Sequence, residues 1–250
     1  MRTYWTLTRR ELGAYFLSLT GYVIIAAALF LMGYSFVVML DKLRHERTSM
    51  PVTELFYNTD FFWLILLSTT PLITMRLFAQ EKFSGTFETL MTTPVKDLEV
   101  VLAKFTAALM FYTVMWLPLL GCMLVVRHYT RDPSALDAGV VGSTFLGILL
   151  LGAMFVALGC FASALTRNQA VAAMIGLVLG VSLFLLAFLA DRFADATSWQ
   201  AQVLACFTLF DQMHDFARGV VDTRAVVLYA SLTLFSLFLT LRVVESRRWK

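Results

Sequence analysis

The chain has 250 residues, 59% of them hydrophobic and only 15% charged, with 22 Phe and 12 Met. A soluble domain carries about 25% charged residues, so the deficit excludes an ordinary water-soluble globule and points to a lipid bilayer. The formal charge of +3 sums two faces of opposite sign and gives no indication of a nucleic-acid partner, and three Cys, an odd number, give no disulfide framework.

The first element is a helix over residues 2–16, with Trp5, Leu12 and Phe16 on one face and Arg9 beside it. That pattern predicts a helix lying in the membrane interface. Thr8-Arg9-Arg10 is similar to a twin-arginine export signal. However, the 24 uncharged residues of Leu17–Leu40 are too long for a cleavable segment, and no convincing small-x-small site follows. The reading is an uncleaved anchor.

About 20 apolar residues cross a bilayer core as a helix. Six stretches qualify, at 17–40, 61–79, 99–126, 138–166, 168–190 and 225–244. They are continuous apolar runs rather than the short alternating strands of a porin-type barrel, so the expected fold is an all-α integral membrane protein forming one domain. Pro71 and Pro118 each remove an amide donor and are expected to bend spans two and three. Gly159–Ser163 is a small-xxx-small step and Gly176–Gly180 a GxxxG, and both are read as packing sites within the chain. Residues 191–224 form an outer region, within which the 15 uncharged residues of Ala196–Phe210 suit a re-entrant or interfacial segment.

With both termini inside, the inner segments collect 12 of the 20 Lys and Arg, and the outer ones 11 of the 17 acids. That arrangement follows the positive-inside rule and implies a cytoplasmic N- and C-terminus. None of the three His lies in a span, the four longest uncharged runs (17–40, 105–126, 138–166 and 168–190) contain no acidic or basic residue, and HExxH, GxSxG and GxxxxGK[ST] are all absent. Intramembrane hydrolysis, proton-coupled carriage and ATP binding of the Walker type therefore lack their usual residues on this chain.

The exception to this plainness is the inner loop 80–98. Ser84-Gly85 can break or restart a helix. Phe87, Leu90 and Met91 follow at i, i+3 and i+4, and Thr93-Pro94 ends the turn, with Asp97 and Glu99 in the first turn of span three. Glu81 and Glu88 bracket the result, a knob apolar on one side. Two readings bury the same stripe: a helix lying among lipid headgroups, or a plug for a groove on a cytoplasmic partner.

Glu81-Lys82-Phe83-Ser84-Gly85-Thr86-Phe87-Glu88-Thr89-Leu90-Met91-Thr92-Thr93-Pro94-Val95 resembles the E-x-x-x-G-T-x-E-x-L-x-x-x-P-V stretch of type-2 ABC export permeases. The tail, Phe216-Ala217-Arg218-Gly219-Val220-Val221-Asp222-Thr223-Arg224, then Leu234–Leu241 and Glu245-Ser246-Arg247-Arg248-Trp249, is similar to their gliding-motility and copper-processing branch. The resemblance covers the whole chain. It implies a coupling helix built from Glu81, Ser84, Gly85, Phe87, Glu88, Leu90, Met91 and Pro94, docking on a cytoplasmic ATPase. It implies two ATPase subunits that carry ATP and Mg, no cofactor on this chain, and a second permease, identical or related. It also implies a bacterial inner-membrane location, an accessory extracytoplasmic subunit as a further partner, and an outer re-entrant region containing Phe216, Arg218 and Gly219. A surface ion pair accounts equally well for Arg218 and Asp222, and Asp211-Gln212-Met213-His214-Asp215 departs from the family pattern and is given no role. The expected function is substrate export, or an extracytoplasmic assembly step, driven by the partner ATPase. The alternatives are a stand-alone six-span carrier or channel, and a membrane scaffold that transports nothing.

Overall fold

A computed structural model describes residues 2–45, 60–87, 96–130, 137–192 and 208–246. All elements among them are helices: α1 (Arg2–Phe16), α2 (Leu19–His45), α3 (Asp60–Thr74), α4 (Ala79–Ser84), α5 (Asp97–Thr130), α6 (Ala138–Leu165), α7 (Gln169–Arg192), α8 (Leu209–Ala217) and α9 (Thr223–Ser246). Among the described residues, six stretches are long and apolar enough to cross a membrane, namely α2, the α3–α4 unit, α5, α6, α7 and α9. Five match the expected spans to within a few residues. The second does not run through: it stops at Thr74, turns over Met75–Phe78 and restarts at Ala79. Pro118, in contrast, sits inside an uninterrupted α5.

Helix α6 is the centre of the bundle, packed by α3, α5, α7, α8 and α9. Its sequence has no polar stripe, which is the pattern of a helix buried on all sides. Small residues along it let neighbours approach. A Cβ on Gly152 would fall 2.1 Å from the Tyr112 ring on α5, one on Gly159 2.1 Å from the Thr74 hydroxyl at the end of α3, and one on Gly147 2.9 Å from the Phe216 ring on α8. Gly176 and Gly180 on α7 face Pro71 and Phe155 respectively. Both small-residue motifs therefore serve contacts within the chain, as van der Waals packing between apolar helices requires. The outward faces of α2 and α9 carry Tyr22, Phe30, Tyr34, Leu234, Phe235 and Phe238, all exposed.

At the α8 end of the bundle, Leu209, Met213, Phe216 and Ala217 are buried on one face of a nine-residue helix. Phe210 joins Trp63 of α3 and Phe184 of α7 in a cluster of rings with centroids 4.8–5.6 Å apart. The Ser143 hydroxyl donates to the Phe216 carbonyl at 2.8 Å. Gly219, at φ +90°, lets the chain close α8 with paired bonds from the Gly219 amide to the Phe216 carbonyl and from the Val220 amide to the Asp215 carbonyl. Asp222 then caps α9 by accepting from the Arg224 amide at 2.9 Å. Its carboxylate thus serves a helix end.

Candidate functional site

The break in the second span creates the problem from which the site is built. Backbone groups freed inside a membrane must find partners in the protein. The Ser163 hydroxyl, on α6 and fully buried, accepts from the Phe78 amide at 3.0 Å and the Ala79 amide at 3.1 Å, and donates to the Met75 carbonyl at 3.2 Å. One hydroxyl offers one donor and two acceptor positions, so Ser163 spends its whole capacity on this turn. From α1, the Tyr15 hydroxyl donates to the Ile73 carbonyl at 2.8 Å. Arg76, in the turn, reaches the corner between α1 and α2 through the hydroxyls of Ser18 and Thr20.

Helix α4 is then fastened on both sides. The buried Lys82 ammonium donates to the Ala164 carbonyl, one of the carbonyls that α6 leaves without an intrahelical partner at its end. On the other side, the Glu81 carboxylate lies 2.9 Å from the Lys104 ammonium of α5 and 3.2 Å from the Arg10 guanidinium of α1. Glu11 closes the ring, 3.2 Å from Lys104 and 2.7 Å from Arg10. Lys104 is 2% exposed and also stands over the Phe78 ring at 5.5 Å. Burial works against the charge on Glu11, but Lys104 and Arg10 outweigh it and hold its carboxyl below the ordinary value. These charges line an open cleft of about 570 Å³ together with Arg76, Gln80, Ser84 and Thr86. A second cleft, of about 370 Å³, lies at the α8 end, lined by Asp137, Ser143, Arg218 and Gly219.

Among the residues singled out from the sequence, Glu81 faces into the chain. Ser84 and Gly85 end α4, with Gly85 in the left-handed conformation at φ +73° and both residues exposed. Phe87 is 6% exposed, under the Lys82 ammonium at 5.2 Å from its ring. The exposed ring at this end is Phe83, at 80%. Glu88, Leu90, Met91 and Pro94 lie outside the described residues, as does most of Ala196–Phe210. Sequence reasoning missed Arg10, Glu11, Lys82, Phe83, Lys104 and Ser163. The small-xxx-small step named Ser163 without indicating its hydroxyl chemistry, and Lys104 stood out only as a cation at the start of a 22-residue apolar run.

Residues 44–242 match the family described as ABC-2 family transporter protein. No curated protein matches the chain.

Proposed function

The chain belongs to the ABC-2 transporter family and is a multi-pass membrane permease subunit of an ABC transporter, and from that premise we propose how it is driven. Members of the family pair with ABC ATPase subunits. In the proposed arrangement two such subunits, carrying ATP and Mg, press on the segment 80–98 from the cytoplasm, where both termini also lie. The permease pairs with a second copy or a close relative in a bacterial inner membrane. Closure of the ATPases moves the segment, and the spans respond by exporting a substrate or performing an extracytoplasmic assembly step. The tail, from Phe216 to Trp249, supports placement in the gliding-motility and copper-processing branch.

The observation that carries this reading is the fastening of α4. Its exposed end, Phe83–Thr86, is open to a partner, while its body is tied to α1 and α5 through Glu81 and to α6 through Ser163 and Lys82. A force applied at that end is delivered to three helices at once. Buried charge pairs suit this use, because separating them in a low-dielectric site is costly.

The test is extraction of the tagged chain from its native membrane in a mild detergent, with mass spectrometry of what remains bound. A stoichiometric ATPase, lost in Glu88→Arg and in Gly85→Trp while the permease stays folded, is the expected outcome. A chain that emerges alone and moves solute in ATP-free liposomes would replace this reading with a stand-alone carrier, and one indifferent to nucleotide in every assay would make it a scaffold.

A further inference from the structure

The turn Met75–Phe78 interrupts a span at the point where the proposed coupling segment leaves the bundle. Two successive amides, Phe78 and Ala79, have one acceptor between them, the Ser163 hydroxyl, and the same hydroxyl returns a bond to the Met75 carbonyl. The residue one turn before it on α6, Gly159, is bare enough for Thr74 to sit against the helix backbone. The residue after it, Ala164, holds Lys82. Within two turns α6 thus receives the end of α3, the turn and the body of α4. Among the described residues no backbone bond performs the same task, because the α-helical ladder is broken over this turn: the Leu77 amide bonds the Thr74 carbonyl, three residues back, instead of the carbonyl four residues back.

We infer that Ser163 is a positioning residue for the coupling segment: its hydroxyl fixes the direction in which α4 leaves the second span. The inference rests on the proposed role of the segment 80–98, but the geometry it concerns can be read on this chain alone. A side chain serving only to fill space at this position would be replaceable by Ala. A hydroxyl that terminates two amides and one carbonyl is not, since each buried group left without a partner bears a desolvation penalty.

Hydrogen–deuterium exchange of the purified full chain in lipid nanodiscs tests this directly. In Ser163→Ala, exchange at Phe78 and Ala79 is expected to rise about tenfold or more, with the rest of α6 as protected as in the wild type. Ser163→Thr, which retains the hydroxyl, is expected to restore protection. Tyr15→Phe, which removes only the bond to the Ile73 carbonyl, is expected to leave these two amides protected and serves as the comparison. Unchanged exchange at Phe78 and Ala79 in Ser163→Ala, a rise spread evenly through α6, or an equal rise in Tyr15→Phe would each overturn the inference. In membranes that hold the ATPase, Ser163→Ala should retain the bound ATPase yet lose the nucleotide-dependent change in exchange over 75–84, and retention of that change would count against the positioning role. If the wild-type chain binds no ATPase, the proposed function falls, while the comparison of the two amides still decides the geometry.

Discussion

The Lys104 ammonium of α5 and the Glu81 carboxylate of α4 lie 2.9 Å apart, with Lys104 almost wholly buried. Glu11 approaches the same ammonium from α1 at 3.2 Å. Two carboxylates converge on one buried cation, and the remaining cation, Arg10, is half exposed. Removing Lys104 therefore leaves uncompensated charge in place. Lys104→Met is expected to cost about 3–5 kcal/mol of stability, the usual result of breaking a buried pair. Adding Glu81→Gln removes one of the stranded charges and should recover part of the loss, so the two substitutions are non-additive. Thermal unfolding of the purified single and double variants measures this, and simple additivity would show that the pair contributes no coupling energy.

The carboxyl of Glu11 gives the same cluster a pH dependence. Its folded value is depressed below the ordinary 4.5. A depressed carboxylate contributes stability that is complete above the unfolded value and is lost as pH falls through the folded one. The wild type should thus lose more stability than Glu11→Gln as pH is lowered from 6 to below the ordinary carboxylate range, about 4, and the two should run parallel above it. Unfolding midpoints of both proteins across that interval test the sign, and parallel curves throughout would place the depression elsewhere.

Phe83 and Phe87 are four residues apart on either side of the Gly85 turn, yet one is 80% exposed and the other 6%. Truncating the buried ring should cost about 3–5 kcal/mol and lower the folded yield. Truncating the exposed one should change stability by no more than about 0.5 kcal/mol. If the exposed end of α4 meets the ATPase, Phe83→Ala should instead reduce the amount of ATPase that copurifies. Both effects are read from one preparation, and ATPase recovery unaltered by Phe83→Ala would remove that ring from the interface.

The sequence made the helical class and the number of spans readable, because run length and lack of charge suffice for that in a bilayer. The orientation of the knob was not readable. Spacing marked Phe87 as apolar, but not that its ring would turn into the core beneath Lys82, itself anchored to the end of α6. Pro71 announced a bend, yet the break falls at Met75–Phe78, where a hydroxyl 85 residues from Phe78 can replace the missing backbone bonds. Lys104 counted as one more inner cation until α1 and α4 brought carboxylates to it. Helix α8 was hidden differently. Its Leu209, Met213, Phe216 and Ala217 follow the i, i+4, i+7, i+8 spacing of an amphipathic helix, but Asp211–Asp215 between them departs from the family pattern and is given no role. Contacts within a few residues leave a trace in sequence, and those made across 80 or more residues leave only the residue type.

The glycines of α6 supply the last test, because they separate close packing from mere helical composition. A Cβ on Gly152 meets the Tyr112 ring at 2.1 Å, and that ring is fully buried with its hydroxyl on the Ile148 carbonyl. The ring cannot swing away without giving up its hydrogen bond and its place beside Trp116. Gly152→Ala should therefore destabilise by about 1–3 kcal/mol, the range for forcing extra volume into a filled core, despite the better helix propensity of Ala. Gly33 on α2 has nothing within 4 Å of the same atom. Gly33→Ala carries no such clash and should be neutral or gain up to about 1 kcal/mol from propensity. The unfolding midpoint of Gly152→Ala should fall while that of Gly33→Ala holds or rises, and a shared gain would mean that Tyr112 does not seat against α6 at Gly152.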